Sequence, residues 1–163
     1  FICDTNRPKR KKMNEKNEAL IKLLEISDKI PFFEGLQKVE IVKLLTDVKI
    51  LAYKNKQNIF KEGETKRDFL FYLLQGKIAI SKNSSSTGTK TRLATINEPS
   101  LFGEMMRLTG EPRSATIDSA EDNTLVLAFK IIEFKEVTPV SKFYKNVIKE
   151  LSNKINNMNN KAT

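Results

Sequence analysis

Residues 102–116 read Phe-Gly-Glu-Met-Met-Arg-Leu-Thr-Gly-Glu-Pro-Arg-Ser-Ala-Thr and interrupt a series of short apolar runs. Gly103 precedes a single helical turn, and the first turn of a helix leaves backbone N–H groups that favour an anion. Glu104 lies in that first turn and can accept bonds from hydroxyl groups, while the planar fork of Arg113 suits phosphate. The stretch therefore predicts a site for a sugar phosphate, although an ordinary ion pair between Glu104 and Arg113 explains these two residues equally well.

Short β-strands are predicted on both sides of this stretch. The segments are bounded by Gly, Asn, Ser or Pro, and they often alternate between apolar and polar residues. The predicted strands cover residues 48–53, 58–61, 69–74, 77–81, 92–96, 116–119 and 124–129. Seven or eight short strands at this spacing are typical of a small barrel or sandwich. We expect an antiparallel β-roll over residues 48–130.

Helical periodicity precedes and follows the strands. Between residues 13 and 47 the apolar spacing predicts two helices, the second beginning with Val39 and Val42 on its apolar stripe. Residues 131–157 are predicted to form a short helix and a longer one. One apolar stripe of the longer helix contains Phe143, Tyr144, Val147, Ile148, Leu151 and Ile155. The expected fold class is α+β.

Composition excludes several kinds of site. The 163 residues include no histidine, which excludes Ser-His-Asp triads and imidazole metal ligands. Cys3 is the only cysteine, so neither an internal disulfide nor a thiolate zinc site is expected. No apolar run approaches the roughly 18 residues that span a bilayer, and the N-terminus has no signal core. We expect a cytoplasmic protein with no metal and no enzymatic activity.

The net charge of +9 is concentrated at the two ends of the chain. Residues 1–12 carry five basic residues against Asp4, and residues 135–163 carry six lysines against two glutamates. Basic ends of this kind are usually solvated. We predict a disordered basic tail over residues 1–12 and a frayed tail over residues 158–163.

The chain resembles the cyclic nucleotide-binding domain family. The phosphate-binding cassette of that family reads Phe-Gly-Glu and, after a short helix, Pro-Arg-(Ser/Ala/Thr)-Ala-Thr. This chain retains those residues as Phe102, Gly103, Glu104, Pro112, Arg113, Ser114, Ala115 and Thr116. The resemblance implies one domain over residues 13–157, in which a jelly-roll-like β-roll of about eight strands is flanked by N-terminal helices and a C-terminal helical lid.

The resemblance also implies a role for each cassette residue. Glu104 would bind the ribose 2′-hydroxyl, Arg113 would bind the exocyclic phosphate oxygens, and backbone N–H groups near Met106 and Ala115 would complete the cradle. The implied ligand-binding residues are Gly103, Glu104, Met105, Met106, Arg113, Ser114 and Ala115. Phe143 and Tyr144 are candidates to stack on the base, although core packing is the stronger explanation for these aromatic residues.

Two residues depart from the family pattern. Met106 stands where the family usually has Ala or Ser, and Arg107 stands where it usually has an apolar Leu. Met106 can crowd the phosphate, and Arg107 replaces an apolar contact that relays ligand occupancy to the lid. The alternative function is therefore a degenerate domain that binds no nucleotide and serves as a scaffold or protein-interaction module.

The expected function is a regulatory sensor that binds cAMP and couples its occupancy to movement of the C-terminal helices. Ser114 keeps a hydroxyl, so cGMP stays open as the ligand, and no cofactor is expected. The expected partners are an effector domain or protein that contacts the C-terminal helices, and a homodimer is also open. A helix-turn-helix is not found after the long helix, so DNA binding is not expected.

Overall fold

The computed structural model of the protein describes residues 7–65, 69–83, 88–131 and 137–161. Contacts divide the chain into two compact units. One unit comprises Phe1–Asp47 and Ile131–Thr163, and the other comprises Val48–Lys130. We call the first the helical unit and the second the β unit.

Eight strands are present in the described residues. They are β1 (Leu45–Tyr53), β2 (Asn58–Phe60), β3 (Leu70–Gln75), β4 (Ile78–Asn83), β5 (Lys90–Ile96), β6 (Leu101–Phe102), β7 (Thr116–Ser119) and β8 (Thr124–Ile131). They form two four-stranded sheets with the orders β1-β8-β3-β6 and β2-β7-β4-β5. This arrangement confirms the predicted α+β class with its antiparallel β-roll of eight strands and flanking helices.

Strand β3 pairs with a strand on each side, and one of these partners, β6, leads into the cassette. On one side β3 pairs with β8, with Leu70 opposite Phe129, and on the other side it pairs with β6, with Phe71 opposite Phe102. Buried apolar side chains from both sheets form the core of this unit. Its buried members are Ile59, Phe60, Phe71, Leu73, Ile78, Phe102, Ile117, Val126 and Ala128.

The helical unit is built around a cluster of phenylalanines. Its helices are α1 (Arg7–Ile26), α2 (Lys38–Leu44) and α4 (Val137–Lys161), whereas α3 (Met105–Thr109) belongs to the β unit. Two 3₁₀ turns, Ser27–Lys29 and Pro31–Phe33, follow α1. Pro31 occupies the first position of its turn, where a missing N–H costs nothing. The ring centroids of Phe32 and Phe143 lie 5.5 Å apart, and all three clustered phenylalanines, Phe32, Phe33 and Phe143, are at most 2% exposed.

The helices depart from the sequence predictions at their ends. Helix α1 begins at Arg7 rather than at residue 13, so residues 7–12 are helical where a disordered tail was expected. Helix α4 continues to Lys161, into the stretch expected to fray. Lysine and arginine are good helix formers, and a run of them extends a helix that apolar spacing alone does not show. The predicted short helix after Ile131 falls largely on residues 132–136, outside the described residues.

The buried faces of α2 and α4 also differ from the predicted apolar stripes. Val39 and Val42 are 56% and 41% exposed, and Ile41 and Leu44 form the buried face of α2 instead. The stripe of α4 divides into two faces. Val140, Phe143 and Val147 are buried, whereas Ile148 and Ile155 are each 58% exposed.

Candidate functional site

The loop that follows β6 turns at Gly103. Its φ of +75° lies in the left-handed region that favours glycine. A side chain there would also lack room, because an added Cβ would lie 2.8 Å from Nη1 of Arg113 and 3.0 Å from Cδ2 of Phe71. Gly103 therefore allows the Arg113 side chain to lie directly against the backbone of this loop.

Arg113 is buried in the β unit with its guanidinium beneath this loop. It is 3% exposed, its Nη1 donates to the carbonyl oxygen of Gly103 at 2.6 Å, and its Nη2 donates to the carbonyl oxygen of Phe69 at 2.8 Å. These two acceptors replace the Glu104 carboxylate that the sequence offered as an ion-pair partner. Hydrogen bonds to a charged group contribute about 1.5–3 kcal/mol each, so the two bonds fix the direction of the fork.

Glu104 is the buried acidic residue of the loop. It is 8% exposed and precedes the short helix α3 (Met105–Thr109). Its carbonyl oxygen accepts from the N–H groups of Arg107 and Leu108, both at 3.0 Å. The Arg113 guanidinium donates to the Gly103 carbonyl oxygen, and Glu104 is the next residue in the chain. The loop therefore brings the backbone of an acidic residue close to a buried guanidinium.

The other four predicted ligand-binding residues lie at the start of α3 and directly after Arg113. Met105 is 44% exposed and Met106 is half-buried, while Ser114 is exposed and Ala115 is half-buried. The helix ends at Gly110, whose N–H donates to the Met106 carbonyl oxygen at 3.0 Å. The cradle role that the resemblance implies for the backbone near Met106 and Ala115 stays a prediction.

The turn after β2, residues 61–64, forms hydrogen bonds with the end of the cassette. The Gly63 N–H donates to the Arg113 carbonyl oxygen at 2.8 Å, and the Arg113 N–H donates to the Glu64 carbonyl oxygen at 3.1 Å. One residue earlier, the Glu62 N–H donates to Oγ1 of Thr116 at 3.0 Å. Sequence reasoning missed this turn as part of the site, because its contacts join segments about 50 residues apart.

Aromatic rings support the Arg113 guanidinium. Its Cζ lies 4.3 Å from the ring centroid of Phe60 and 5.4 Å from that of Phe71. The two rings pack at 5.4 Å, and Phe71 stacks on Phe102 at the same distance. The sequence predicted strands at these positions, but nothing in strand spacing shows which buried ring will face the arginine.

The two base-stacking candidates belong to the helical unit. Phe143 is fully buried against Phe32 and Phe33, with centroids 5.5 Å and 6.1 Å away, and this packing favours its core explanation. Tyr144 is half-buried and meets the edge of Phe143 at 5.6 Å. A base-stacking role for these two residues stays a prediction.

The described residues contain neither a cluster suited to a metal ion nor a helix suited to a membrane. Within that part of the chain, no group of three or more His, Cys, Asp or Glu side chains is arranged to hold a metal ion. Likewise, none of the described helices has the length and apolar character needed to cross a membrane.

Comparisons with known proteins agree with this fold. The profile of the cyclic nucleotide-binding domain family matches residues 50–138. A cAMP-dependent protein kinase regulatory subunit from Pyricularia oryzae is 25% identical over 155 residues, which cover 88% of this chain and 39% of that protein. A cyclic nucleotide-gated potassium channel from Rhizobium etli is 22% identical over 102 residues, which cover 63% of this chain and 26% of that protein. The chain thus spans well under half of these curated relatives.

Solved structures show the same fold at low identity. The regulatory domain of Toxoplasma gondii PKA, crystallised with cAMP, has a TM-score of 0.64 and 16% identity over 86% of this chain and 51% of that one. The regulatory subunit of a cAMP-independent protein kinase A from Trypanosoma brucei has a TM-score of 0.58 and 16% identity, over 69% of this chain and 40% of that one. With a family profile matching more than half of its residues, this chain belongs to the cyclic nucleotide-binding domain family.

Proposed function

We propose that this chain binds a cyclic nucleotide, with cAMP as the ligand, through the loop between Phe102 and Thr116. The observation that carries the proposal is the burial of the Arg113 guanidinium against the Gly103 carbonyl, one residue from the buried Glu104. A guanidinium keeps its charge when buried and carries five N–H donors in a planar fork. A cyclic phosphate would give the fork of Arg113 a charged, bidentate acceptor.

Each part of the loop has a role in this proposal. Arg113 would bind the exocyclic phosphate oxygens, and Glu104 would accept a bond from the ribose 2′-hydroxyl. Backbone N–H groups of Met106 and Ala115 would complete the phosphate cradle. Gly103 would permit close approach of the phosphate, because it has no side chain in a crowded position.

The choice of cAMP has separate support. The Pyricularia oryzae relative, whose alignment covers 88% of this chain, is a cAMP-dependent protein kinase regulatory subunit. Ser114 is exposed beside Arg113, and a serine hydroxyl can bond to either purine. We therefore expect cAMP to bind more tightly than cGMP, with cGMP still able to enter the site.

The sensor role requires that the ligand change the population of a conformation. A ligand can do this only by binding one state more tightly than the other. The C-terminal helix α4 is the candidate for the responding element, and its exposed Ile148 and Ile155 offer a surface for an effector or for a second copy of the chain. The identity of that partner, and a cytoplasmic location, stay predictions.

Calorimetric titration tests this function. The purified chain is titrated with cAMP and cGMP, with the acyclic 5′-AMP as the control for non-specific nucleotide binding. We expect saturable binding of one cAMP per chain, weaker binding of cGMP and much weaker binding of 5′-AMP. Hydrogen exchange of residues 137–155 with and without cAMP then measures the response of α4. Absence of binding at millimolar cAMP and cGMP would contradict the proposal.

A scaffold without a ligand is the second candidate function. Met106 and Arg107 favour it, because they depart from the family pattern within the cassette itself. The retained pair of Glu104 and Arg113 argues against it, since a domain released from ligand binding has no need to bury both charged groups. The titration separates the two functions directly.

A further inference from the structure

Among the described residues, the ring of Phe60 is the aromatic face nearest to the Arg113 guanidinium. Cζ of Arg113 lies 4.3 Å from the Phe60 centroid, compared with 5.4 Å for Phe71. Both partners are nearly inaccessible to water, since Arg113 and Phe60 are each 3% exposed. A cation held over an aromatic face interacts more strongly in such a desolvated position than at the surface.

Phe60 lies next to an irregularity in the sheet, where the pairing of β2 with β7 shifts register. Strand β2 pairs with β7, with Phe60 opposite Ile117, and the register shifts between Asn58 and Phe60. The Asn58 side-chain amide fills this irregularity, because its Nδ2 donates to the Phe60 carbonyl oxygen at 3.1 Å and to Oδ1 of Asp118 at 2.8 Å. The backbone of Phe60 is therefore held by strand pairing and by the Asn58 side chain.

The same segment fixes the backbone of Arg113. Residues 61–64 follow Phe60 directly, and Gly63 and Glu64 exchange backbone hydrogen bonds with Arg113 at 2.8 Å and 3.1 Å. A single short segment thus hydrogen-bonds to the arginine backbone and places an aromatic ring against the guanidinium, whose two Nη atoms donate to the Gly103 and Phe69 carbonyl oxygens. An arginine that is ordered before the ligand arrives loses little side-chain freedom on binding.

We propose that Phe60 is a positioning residue for phosphate recognition, acting through the electrostatic face of its ring on Arg113. This inference rests on the proposed binding of a cyclic nucleotide. It adds that the affinity depends on a residue outside the cassette, and on the charge distribution of the ring rather than on its volume alone.

Three variants of the full chain test the proposal by cAMP titration and thermal unfolding. Phe60→Leu removes the ring, while replacement of the Phe60 side chain by pentafluorophenylalanine keeps the ring shape but reverses the charge distribution of its face. Phe129→Leu is the matched control, because Phe129 is a fully buried phenylalanine of the same unit. We expect the two changes at Phe60 to weaken cAMP binding about fivefold, and Phe129→Leu to change it less than about twofold.

The outcomes distinguish a wrong role for the Phe60 ring from a wrong proposed function. Wild-type affinity in the pentafluorophenylalanine variant would overturn the proposal, because the ring would then act only through packing. Equal weakening in Phe129→Leu would also overturn it, as a general loosening of the core. If Phe60→Leu does not fold, the fluorinated variant still provides the test. Failure of the wild type to bind any cyclic nucleotide would instead overturn the proposed function on which the role of Phe60 depends.

Discussion

Nη1 of Arg113 occupies the space that a side chain at Gly103 would need. The Nη1 atom donates to the Gly103 carbonyl oxygen at 2.6 Å, and a Cβ at residue 103 would lie only 2.8 Å from that same nitrogen. The close approach depends on a glycine with a left-handed backbone, since φ is +75°. The cassette glycine is therefore required by the position of the arginine as well as by the turn.

Gly103→Ala should weaken both stability and cyclic-nucleotide binding. A left-handed backbone costs a non-glycine residue about 1–2 kcal/mol, and here the methyl group would also displace the Arg113 side chain. Gly35→Ala is the matched control, because Gly35 has a φ of +72° and open space around its Cβ position. We expect denaturant unfolding to show a loss in both variants, and titration to show at least a tenfold loss of affinity in Gly103→Ala alone. Equal affinities would contradict the coupling.

Arg113→Lys should lose most of the binding that the arginine supports. An ammonium cannot donate along two fixed directions or lie flat over the Phe60 ring, so about tenfold or more of the affinity should be lost. Arg92→Lys, the same change at an exposed arginine of β5, is the control. Unchanged cAMP affinity in a folded Arg113→Lys protein would remove the guanidinium from the site.

The sequence predicted the β unit well because strand patterns and turn residues are local signals. All seven predicted strands are present within a few residues, and the eighth, Leu101–Phe102, was too short to show a pattern. The faces of helices were harder to predict. Val39 and Ile41 are both apolar residues of the short helix α2, and only packing against the rest of the helical unit determines that Ile41 is buried.

The sequence named candidate site residues only where they are close together in the chain. Gly103, Glu104 and Arg113 form a recognisable motif, and the structure buries both charged residues of it. The contribution of Phe60 and of residues 61–64 could not be predicted, because sheet pairing across about 50 residues brings them to Arg113. Long-range pairing leaves no periodic pattern in a single sequence.

Glu104 should account for the contribution of the ribose 2′-hydroxyl to affinity. A hydrogen bond to a charged acceptor contributes about 1.5–3 kcal/mol, so wild-type protein should bind 2′-deoxy-cAMP about tenfold or more weakly than cAMP. In Glu104→Ala this difference should disappear, because the acceptor is missing. The exposed Glu98 provides the control Glu98→Ala, in which the difference should persist. An undiminished preference for cAMP in Glu104→Ala would assign the hydroxyl contact elsewhere.

The surface pair of Glu34 and Lys149 should make the stability of the helical unit sensitive to pH at both extremes. Nζ of Lys149 lies 2.9 Å from Oε2 of Glu34, and this hydrogen bond with its charge attraction lowers the pKa of Glu34 and raises the pKa of Lys149. The stabilisation is present above the unfolded glutamate pKa of about 4.3 and below the unfolded lysine pKa of about 10.4. It is lost as the pH falls through the lowered pKa of Glu34 or rises through the raised pKa of Lys149.

Glu34→Gln measures that pH dependence. The thermal midpoint of the variant should fall slightly below that of the wild type near neutral pH, since both side chains are exposed and surface pairs contribute little. The difference should shrink as the pH is lowered below about 4, because the protonated carboxyl group of Glu34 is then uncharged, like the amide that replaces it in the variant. A difference that stays constant down to about pH 3 would show that charge attraction to Lys149 does not contribute.

Met106→Ala should tighten cAMP binding if the methionine crowds an otherwise competent phosphate cradle. The Met106 side chain is half-buried, while its carbonyl oxygen accepts from the Gly110 N–H at 3.0 Å, a bond that the substitution retains. Relief of overpacking is worth about 1 kcal/mol at its lower end, which corresponds to about a fivefold gain in affinity. Alanine also favours the helix more than methionine does, so the fold should be retained.

Leu108→Ala is the control for this last prediction, because Leu108 lies on the same short helix and is 38% exposed. Its affinity for cAMP should match that of the wild type, whereas a gain in both variants would indicate a general effect on α3. Weaker binding in Met106→Ala alone would mean that the methionine contacts the ligand favourably. If the wild type and both variants bind no cyclic nucleotide at millimolar concentration, crowding by Met106 is not what prevents binding, and the scaffold function accounts better for the departure of this cassette from its family.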